Sequence, residues 1–97
     1  MPSFKHTITP DPEVVAILVT CTEFARLDDG RSQARVDERL EAPLAERTEK
    51  VLSDLGGQWD RHANCMVLPQ GIDPQRLVEQ LLEEGAVTVT TSVERSV

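Results

Sequence analysis

Residues 43–85 read PLAERTEKVLSDLGGQWDRHANCMVLPQGIDPQRLVEQLLEEG, and this stretch predicts a helix, a hairpin and a second helix. Pro43 suits the first position of a helix, because the N–H that proline lacks has no intrahelical partner there. An apolar stripe of helical spacing follows, formed by Leu44, Thr48, Val51, Leu52 and Leu55. Gly56 and Gly57 come directly after the stripe and are expected to end the helix.

The rest of this stretch predicts a short hairpin and a helix with well-marked ends. Gln58–Asp60 and Cys65–Leu68 flank four residues that suit a hairpin loop. Asp73 is a favourable N-cap, Pro74 suits the first helical position, and Gly85 is expected to close the helix. The side chains predicted to be buried on this second helix are Leu77, Val78, Leu81 and Leu82.

The two ends of the chain predict further strands. Residues 14–22, VVAILVTCT, are rich in β-branched and apolar side chains at both odd and even positions, so both faces of a strand here would be apolar. This pattern favours a central strand over a helix of this length. The prolines in residues 1–12 predict an irregular lead-in, with an edge strand over residues 4–9. Alternating valine and threonine predict a last strand over residues 86–93.

A hairpin is predicted over residues 14–40, with a two-residue loop at positions 29–30, Asp-Gly. Both residues of that loop can take the positive φ of a type I′ turn, whose twist matches a hairpin. The loop places Phe24 opposite Arg35 and separates a mainly apolar face from a polar one. A helix over residues 31–41 is the competing interpretation.

Together these elements predict one α+β domain in two layers: a mainly antiparallel sheet of two hairpins and a C-terminal strand, packed by two helices. The chain has 97 residues, 39% of them hydrophobic, which is enough for a single core and too little for a large enzyme. The sequence contains no apolar run of the ~20 residues needed for a membrane span, and no run of signal-peptide type. We expect a cytoplasmic protein whose two cysteines are reduced.

The region of helix, hairpin and helix also resembles a known module. Its features are the run LSDLGGQWDR at positions 52–61, the segment VLP at 67–69 and the closing LLEEG at 81–85. Over residues 44–87 it resembles a small Leu-Gly-Gly-x-Trp module of phage and plasmid proteins, which often precedes DNA adenine methyltransferase domains. The resemblance implies a phage or mobile-element setting and a role near nucleic-acid transactions. It does not imply methylation, because no methyltransferase domain fits in the remaining residues.

Side chains suited to catalysis or metal binding are sparse. His6, Cys21, His62 and Cys65 are types that zinc binds, but the sequence holds no Cys-x-x-Cys pair. It also holds no nucleophile motif and no glycine run of the phosphate-binding type. We therefore expect no enzymatic activity, no metal and no cofactor. Trp59 is expected to pack the second hairpin on the first helix as a core residue.

The predicted polar face of the first hairpin is one candidate binding surface. Its residues are Phe24, Arg26, Arg31, Arg35 and Arg39. Cationic side chains around an aromatic ring are typical of platforms that bind single-stranded nucleic acid.

The second helix is a candidate surface of the opposite charge. The formal net charge of the chain is −7. The acidic residues of this helix region are Asp73, Glu79, Glu83 and Glu84, with Arg76 as the basic residue among them. Side chains four positions apart on a helix lie ~6 Å apart, a spacing comparable with that of successive phosphates, so such a row can imitate nucleic acid to a basic protein.

These observations favour a non-catalytic interaction protein of phage or mobile-element type. We expect it to bind a basic, nucleic-acid-binding protein or complex of the host and to inhibit or modulate it, as anti-CRISPR and anti-restriction proteins do. The alternative is a nucleic-acid-binding accessory module that uses the arginine face of the first hairpin. A third interpretation is a homodimer whose hairpins pair edge to edge.

Overall fold

The computed structural model describes residues 3–92 and shows an α+β fold, as the sequence predicts. The helices are α1 (Pro12–Thr20), α2 (Ala42–Asp54) and α3 (Pro74–Glu84). The strands are β1 (Ser3–Ile8), β2 (Thr22–Arg26), β3 (Ser32–Val36), β4 (Gln58–Asp60), β5 (Cys65–Leu68) and β6 (Val87–Ser92). Positions 1, 2 and 93, which belong to the predicted lead-in and last strand, lie outside the described residues.

The strands form two antiparallel sheets. One has the order β2-β3-β5-β4, so β2 and β4 are its edges, and the other pairs β1 with β6. Helix α2 packs against β3 and β5, α1 contacts both other helices, and α3 also contacts β6. The predicted edge strand over residues 4–9 is therefore confirmed as β1, and the predicted last strand is confirmed as its partner β6.

The core lies between the four-stranded sheet and the helices. It is formed by Val14, Leu18, Ala34, Leu52, Leu55, Met66, Leu68, Leu77, Leu81 and Val87. These side chains come from all three helices and from both sheets, so a single core joins the two sheets into one unit.

The predicted central strand over residues 14–22 is wrong, because Pro12–Thr20 forms helix α1. Its buried residues are Val14, Ile17 and Leu18, which recur with the i, i+3, i+4 spacing of a helix. A short apolar run does not distinguish a strand from a buried helix by periodicity alone. Here the run lies against α2 and α3, and this burial outweighs the preference of valine and isoleucine for strands.

The first hairpin, β2 and β3, confirms a strand over the helix considered for residues 31–41, but its register differs from the predicted one. Phe24 lies opposite Ala34, not opposite Arg35. Ala34 is buried in the core, so Phe24 shares the face of the sheet that the helices cover. Arg35 lies opposite Glu23 on the other face, where both are exposed. The prediction that Phe24 and Arg35 share a face is therefore wrong.

The loop of this hairpin explains the shift. The Leu27 N–H donates to the Arg31 carbonyl at 2.7 Å, and the Gly30 N–H donates to the Leu27 carbonyl at 3.0 Å. Three residues, 28–30, therefore form the loop, with Gly30 in the left-handed region at φ 87°. This is a common arrangement for a three-residue hairpin loop. One additional loop residue moves each side chain of a strand to the opposite face relative to its partner.

The second half of the chain forms as predicted. Both helices have proline in their first positions, and α3 has Asp73 as its N-cap, whose side chain accepts a hydrogen bond from the Gln75 N–H at 3.0 Å. Gly85 ends α3 in the left-handed conformation, at φ 67°. The second hairpin joins β4 to β5 through the four predicted loop residues.

Trp59 does not lie in the core, which corrects the expectation from sequence. Its side chain is 49% exposed. Trp59 belongs to β4, a three-residue edge strand, and lies opposite Met66 of β5. The sheet therefore has a neighbouring strand on only one side of this residue. An aromatic side chain at such an edge packs against neighbouring residues on one side and is exposed to solvent on the other.

Gly57 is a position where any side chain would disturb the backbone. A Cβ atom there would lie 2.6 Å from the Leu52 carbonyl oxygen, which also accepts the Gly57 N–H at 2.9 Å. We expect Gly57→Ala to lower the free energy of unfolding by about 1–3 kcal/mol, measured by urea denaturation. Gly71→Ala is the matched control, because a Cβ there meets nothing within 4 Å. Equal midpoints for the two variants would contradict this account.

Candidate protein-binding surface

Three of the acidic residues predicted as a binding surface lie between the middle and the C-terminal end of α3. Glu79, Glu83 and Glu84 are all exposed, and none forms an ion pair within residues 3–92. Glu83 and Glu84 lie in the last turn of the helix, which is electrostatically unfavourable because the helix dipole places partial negative charge there. The last turn of α3 contains no basic residue that would offset this charge.

Leu82 lies about 60° around the helix from Glu79, on the side away from Glu84, and is 66% exposed. The sequence predicted it to be buried with Leu77 and Leu81, and this prediction is wrong. Leu77 and Leu81 lie four positions apart on the core side of α3, whereas Leu82 is about 100° further around the helix. Half-buried Val78 lies one turn before Leu82 on the same side. We call Glu79, Leu82, Glu83 and Glu84 the acidic face of α3.

Asp73 belongs to the structure of the helix and not to this face. Its carboxylate accepts the Gln75 N–H as the N-cap, at the opposite end of α3 from Glu83 and Glu84. Of the four residues predicted to bind a partner, three are therefore exposed residues of α3, and the fourth is its N-cap.

Three aspartates elsewhere in the described chain form ion pairs with arginines. Asp29 pairs with Arg31 at 2.6 Å, Asp37 pairs with Arg39 at 3.0 Å, and Asp11 pairs with Arg47. The backbone N–H and then the guanidinium of Arg31 hold the pKa of Asp29 below its usual value. The guanidinium and then the backbone N–H of Arg39 lower the pKa of Asp37 in the same way. The glutamates of α3 form no such pair, a property they share with several other exposed carboxylates of the described chain.

The residues predicted as a nucleic-acid platform do not form a common surface. Arg31 and Arg39 are paired to aspartates within two residues of themselves. Arg35 lies on the sheet face opposite to Phe24 and donates to the Ala63 carbonyl at 3.1 Å. Arg26 shares the face of Phe24 but lies at the end of β2. The shift in register thus places Arg35 on the face opposite to Phe24, and of the predicted cations of β2 and β3 only Arg26 shares the face of the ring.

The potential metal ligands are also dispersed. His6 lies in β1, Cys21 follows α1, His62 lies in the second hairpin loop, and Cys65 begins β5. Across the described chain, no three histidine, cysteine, aspartate or glutamate side chains are grouped as a metal site. Cys65 is buried and Cys21 is half-buried, and both are free thiols.

A shallow groove of about 460 Å³ runs between β2 and the N-terminal half of α3. It is lined by Phe24, Ala25, Arg26, Asp73, Pro74, Gln75 and Val78. Sequence reasoning did not identify this groove, because it arises from the packing of elements about fifty positions apart. It continues toward the acidic face of α3 through Val78, which is one turn from Leu82.

Comparison with known proteins gives no match: no family model matches the chain, and neither a curated protein nor a solved structure is similar to it at a significant level. Within residues 3–92, no helix is both long enough and apolar enough to span a lipid bilayer.

Proposed function

We propose that this protein is a non-catalytic inhibitor or modulator that binds a basic, nucleic-acid-binding protein through the acidic face of α3. The observation that supports this most strongly is the combination of unpaired Glu79, Glu83 and Glu84 with exposed Leu82. In the isolated domain the neighbouring glutamates repel one another, and Leu82 leaves apolar surface in contact with water. Each feature becomes favourable when a basic and partly apolar surface covers it.

The carboxylates are spaced so that they can take the place of phosphates. Glu79 and Glu83 lie one helical turn apart, with their Cβ atoms ~6 Å from each other. A protein that binds nucleic acid uses lysine and arginine to neutralise successive phosphates. The same cations can bind this row, so the protein would compete with nucleic acid for its partner.

The setting we propose is the cytoplasm of a host cell, where the protein acts in the manner of anti-CRISPR or anti-restriction proteins. The resemblance of residues 44–87 to a module of phage and plasmid proteins supports a mobile-element origin. The high surplus of acidic residues in a chain of 97 residues supports a binding role over a catalytic one. We propose no metal or cofactor for this activity.

The proposal is tested by capturing partners on the immobilised protein from a nuclease-treated host lysate. We expect the retained protein to be basic, to be released by added DNA or RNA, and to be released as salt rises, because exposed charge pairs are screened. A partner that nucleic acid does not displace would contradict mimicry. Direct binding of single-stranded DNA by this chain at physiological salt would instead favour the nucleic-acid-binding alternative.

A further inference from the structure

The free edge of strand β2 is an unused backbone-pairing surface beside the groove and the acidic face. β2 is the terminal strand of its sheet and contains five residues, whereas the other edge strand, β4, contains three. It contains no proline, so every residue of the strand keeps its backbone N–H.

The hydrogen bonds at both ends of the hairpin determine which groups of β2 are free. The Leu27 N–H donates to the Arg31 carbonyl, and the Asp37 N–H donates to the Cys21 carbonyl. Leu27 and Cys21 are the odd-numbered residues that flank β2. Bonded pairs alternate along an antiparallel ladder. The N–H and C=O groups of Thr22, Phe24 and Arg26 therefore point away from β3, toward the free edge.

The groove follows this edge. Successive residues of a strand point to opposite faces, so a hollow lined by the consecutive residues 24–26 lies along the side of β2 and not on one face. Phe24 and Val78 supply apolar surface on the helix side of the groove. Glu23 projects from the opposite face and is exposed. The side chains of a strand added here would point alternately to the face of Phe24 and Val78, which is apolar, and to the face of Glu23, which is acidic.

From this geometry we infer that β2 accepts an extended basic segment of the partner protein as an additional antiparallel or parallel strand. Apolar side chains of the segment pack against Phe24 and Val78, and basic side chains on the other face approach Glu23. The inference rests on the proposed function, because it adds backbone pairing to the same partner that binds the acidic face of α3.

Charge decides between this occupant and a second copy of the chain. Pairing β2 with β2 of another copy would bring together two molecules that each have a formal net charge of −7. It would also bring the two Glu23 side chains and the two acidic faces near one another, which opposes association. A basic segment meets the same groups as opposite charges.

A short synthetic peptide of alternating lysine and valine is the probe for this surface, with a glutamate-valine peptide as its control. We expect the lysine-valine peptide to bind the wild-type protein and the control peptide not to bind. Arg26→Pro removes one N–H that points to the free edge and none that bonds to β3. The affinity for the lysine-valine peptide should therefore fall about tenfold or more. Arg26→Ala keeps that N–H and removes a cation, so its affinity should be no weaker than that of the wild type. Circular dichroism verifies that both variants fold.

Hydrogen exchange supplies a second measurement on the unaltered chain. In the free protein the amides of Phe24 and Arg26 should exchange rapidly and that of Ala25 slowly, because only Ala25 bonds to β3. Saturation with the lysine-valine peptide should slow exchange at Phe24 and Arg26 and leave Ala25 unchanged. Unchanged exchange at Phe24 and Arg26, or no binding of the peptide, would overturn the inference.

The two proposals fail in different ways. If the captured partner loses affinity for a variant with lysines on the acidic face but binds Arg26→Pro normally, the proposed function stands and the edge inference is wrong. If Arg26→Pro alone weakens the partner, the edge is the binding site and the acidic face is not.

Discussion

Simultaneous replacement of Glu79, Glu83 and Glu84 by lysine is expected to abolish binding of the partner and to stabilise the isolated domain. The new cations would face the cations of the partner, and like charges brought together at an interface cost several kcal/mol. The loss in affinity should therefore be about a hundredfold or more. Titration calorimetry or surface plasmon resonance with the captured partner measures it.

The gain in stability has a separate physical origin. At Glu83 and Glu84, in the last turn of α3, exchanging an anion for a cation turns an unfavourable interaction with the helix dipole into a favourable one, about 0.3–1 kcal/mol per site. The exchange also removes the local repulsion between the neighbouring glutamates. A higher midpoint of thermal unfolding, together with lost binding, would show that these glutamates are present for recognition and not for folding.

A matched variant controls for net charge. Glu38, Glu46 and Asp54 are exposed, lie outside α3 and form no ion pair within residues 3–92, so replacing them with lysine changes the charge equally. We expect this variant to keep most of its affinity. Equal losses in both triple variants would mean that overall charge, and not the acidic face of α3, attracts the partner.

Leu52→Ala is expected to have the largest effect on stability, and Trp59→Ala a much smaller one. Leu52 is 0% exposed and lies in the core, where truncation of a leucine to alanine lowers the free energy of unfolding by about 3–5 kcal/mol. Alanine is a good helix former, so the loss reports packing and not helix propensity. In a domain of this size the change removes a large part of the total stability.

Trp59 is about half exposed, so its truncation removes less buried surface and should cost about 1–2 kcal/mol. Urea denaturation followed by circular dichroism compares the two variants, since Trp59 is the only tryptophan and its loss removes the fluorescence signal. A Trp59→Ala variant as unstable as Leu52→Ala would contradict the edge position of the ring.

The second half of the chain could be predicted because its information is local. Pro43, Asp73, Pro74 and Gly85 mark helix ends through their own backbone chemistry, and this chemistry depends little on distant residues. The stripe of α2 that begins at Leu44 likewise needs only the period of a helix. For the same reason Glu79 and Glu83 could be placed one helical turn apart before the fold was known.

Two features of the first half, helix α1 and the register of the first hairpin, could not be predicted because they depend on contacts between distant residues or on the exact length of a loop. The apolar run of α1 is compatible with a strand or a helix, and only its position between α2 and α3 selects the helix. The register of β2 and β3 changed by one residue because Asp28 joined the loop. That single residue separated Phe24 from Arg35 and dispersed the predicted nucleic-acid platform.

The sequence by itself determined the α+β class, the limits of α2 and α3, the second hairpin and the row of glutamates, since each follows from neighbouring residues and short-range periodicity. The tertiary structure decided which apolar side chains are enclosed. It placed Trp59 at a sheet edge, turned Leu82 toward solvent among carboxylates, and aligned the free edge of β2 with α3. These features depend on how helices and sheets pack around one core, and that packing is a property of the whole chain.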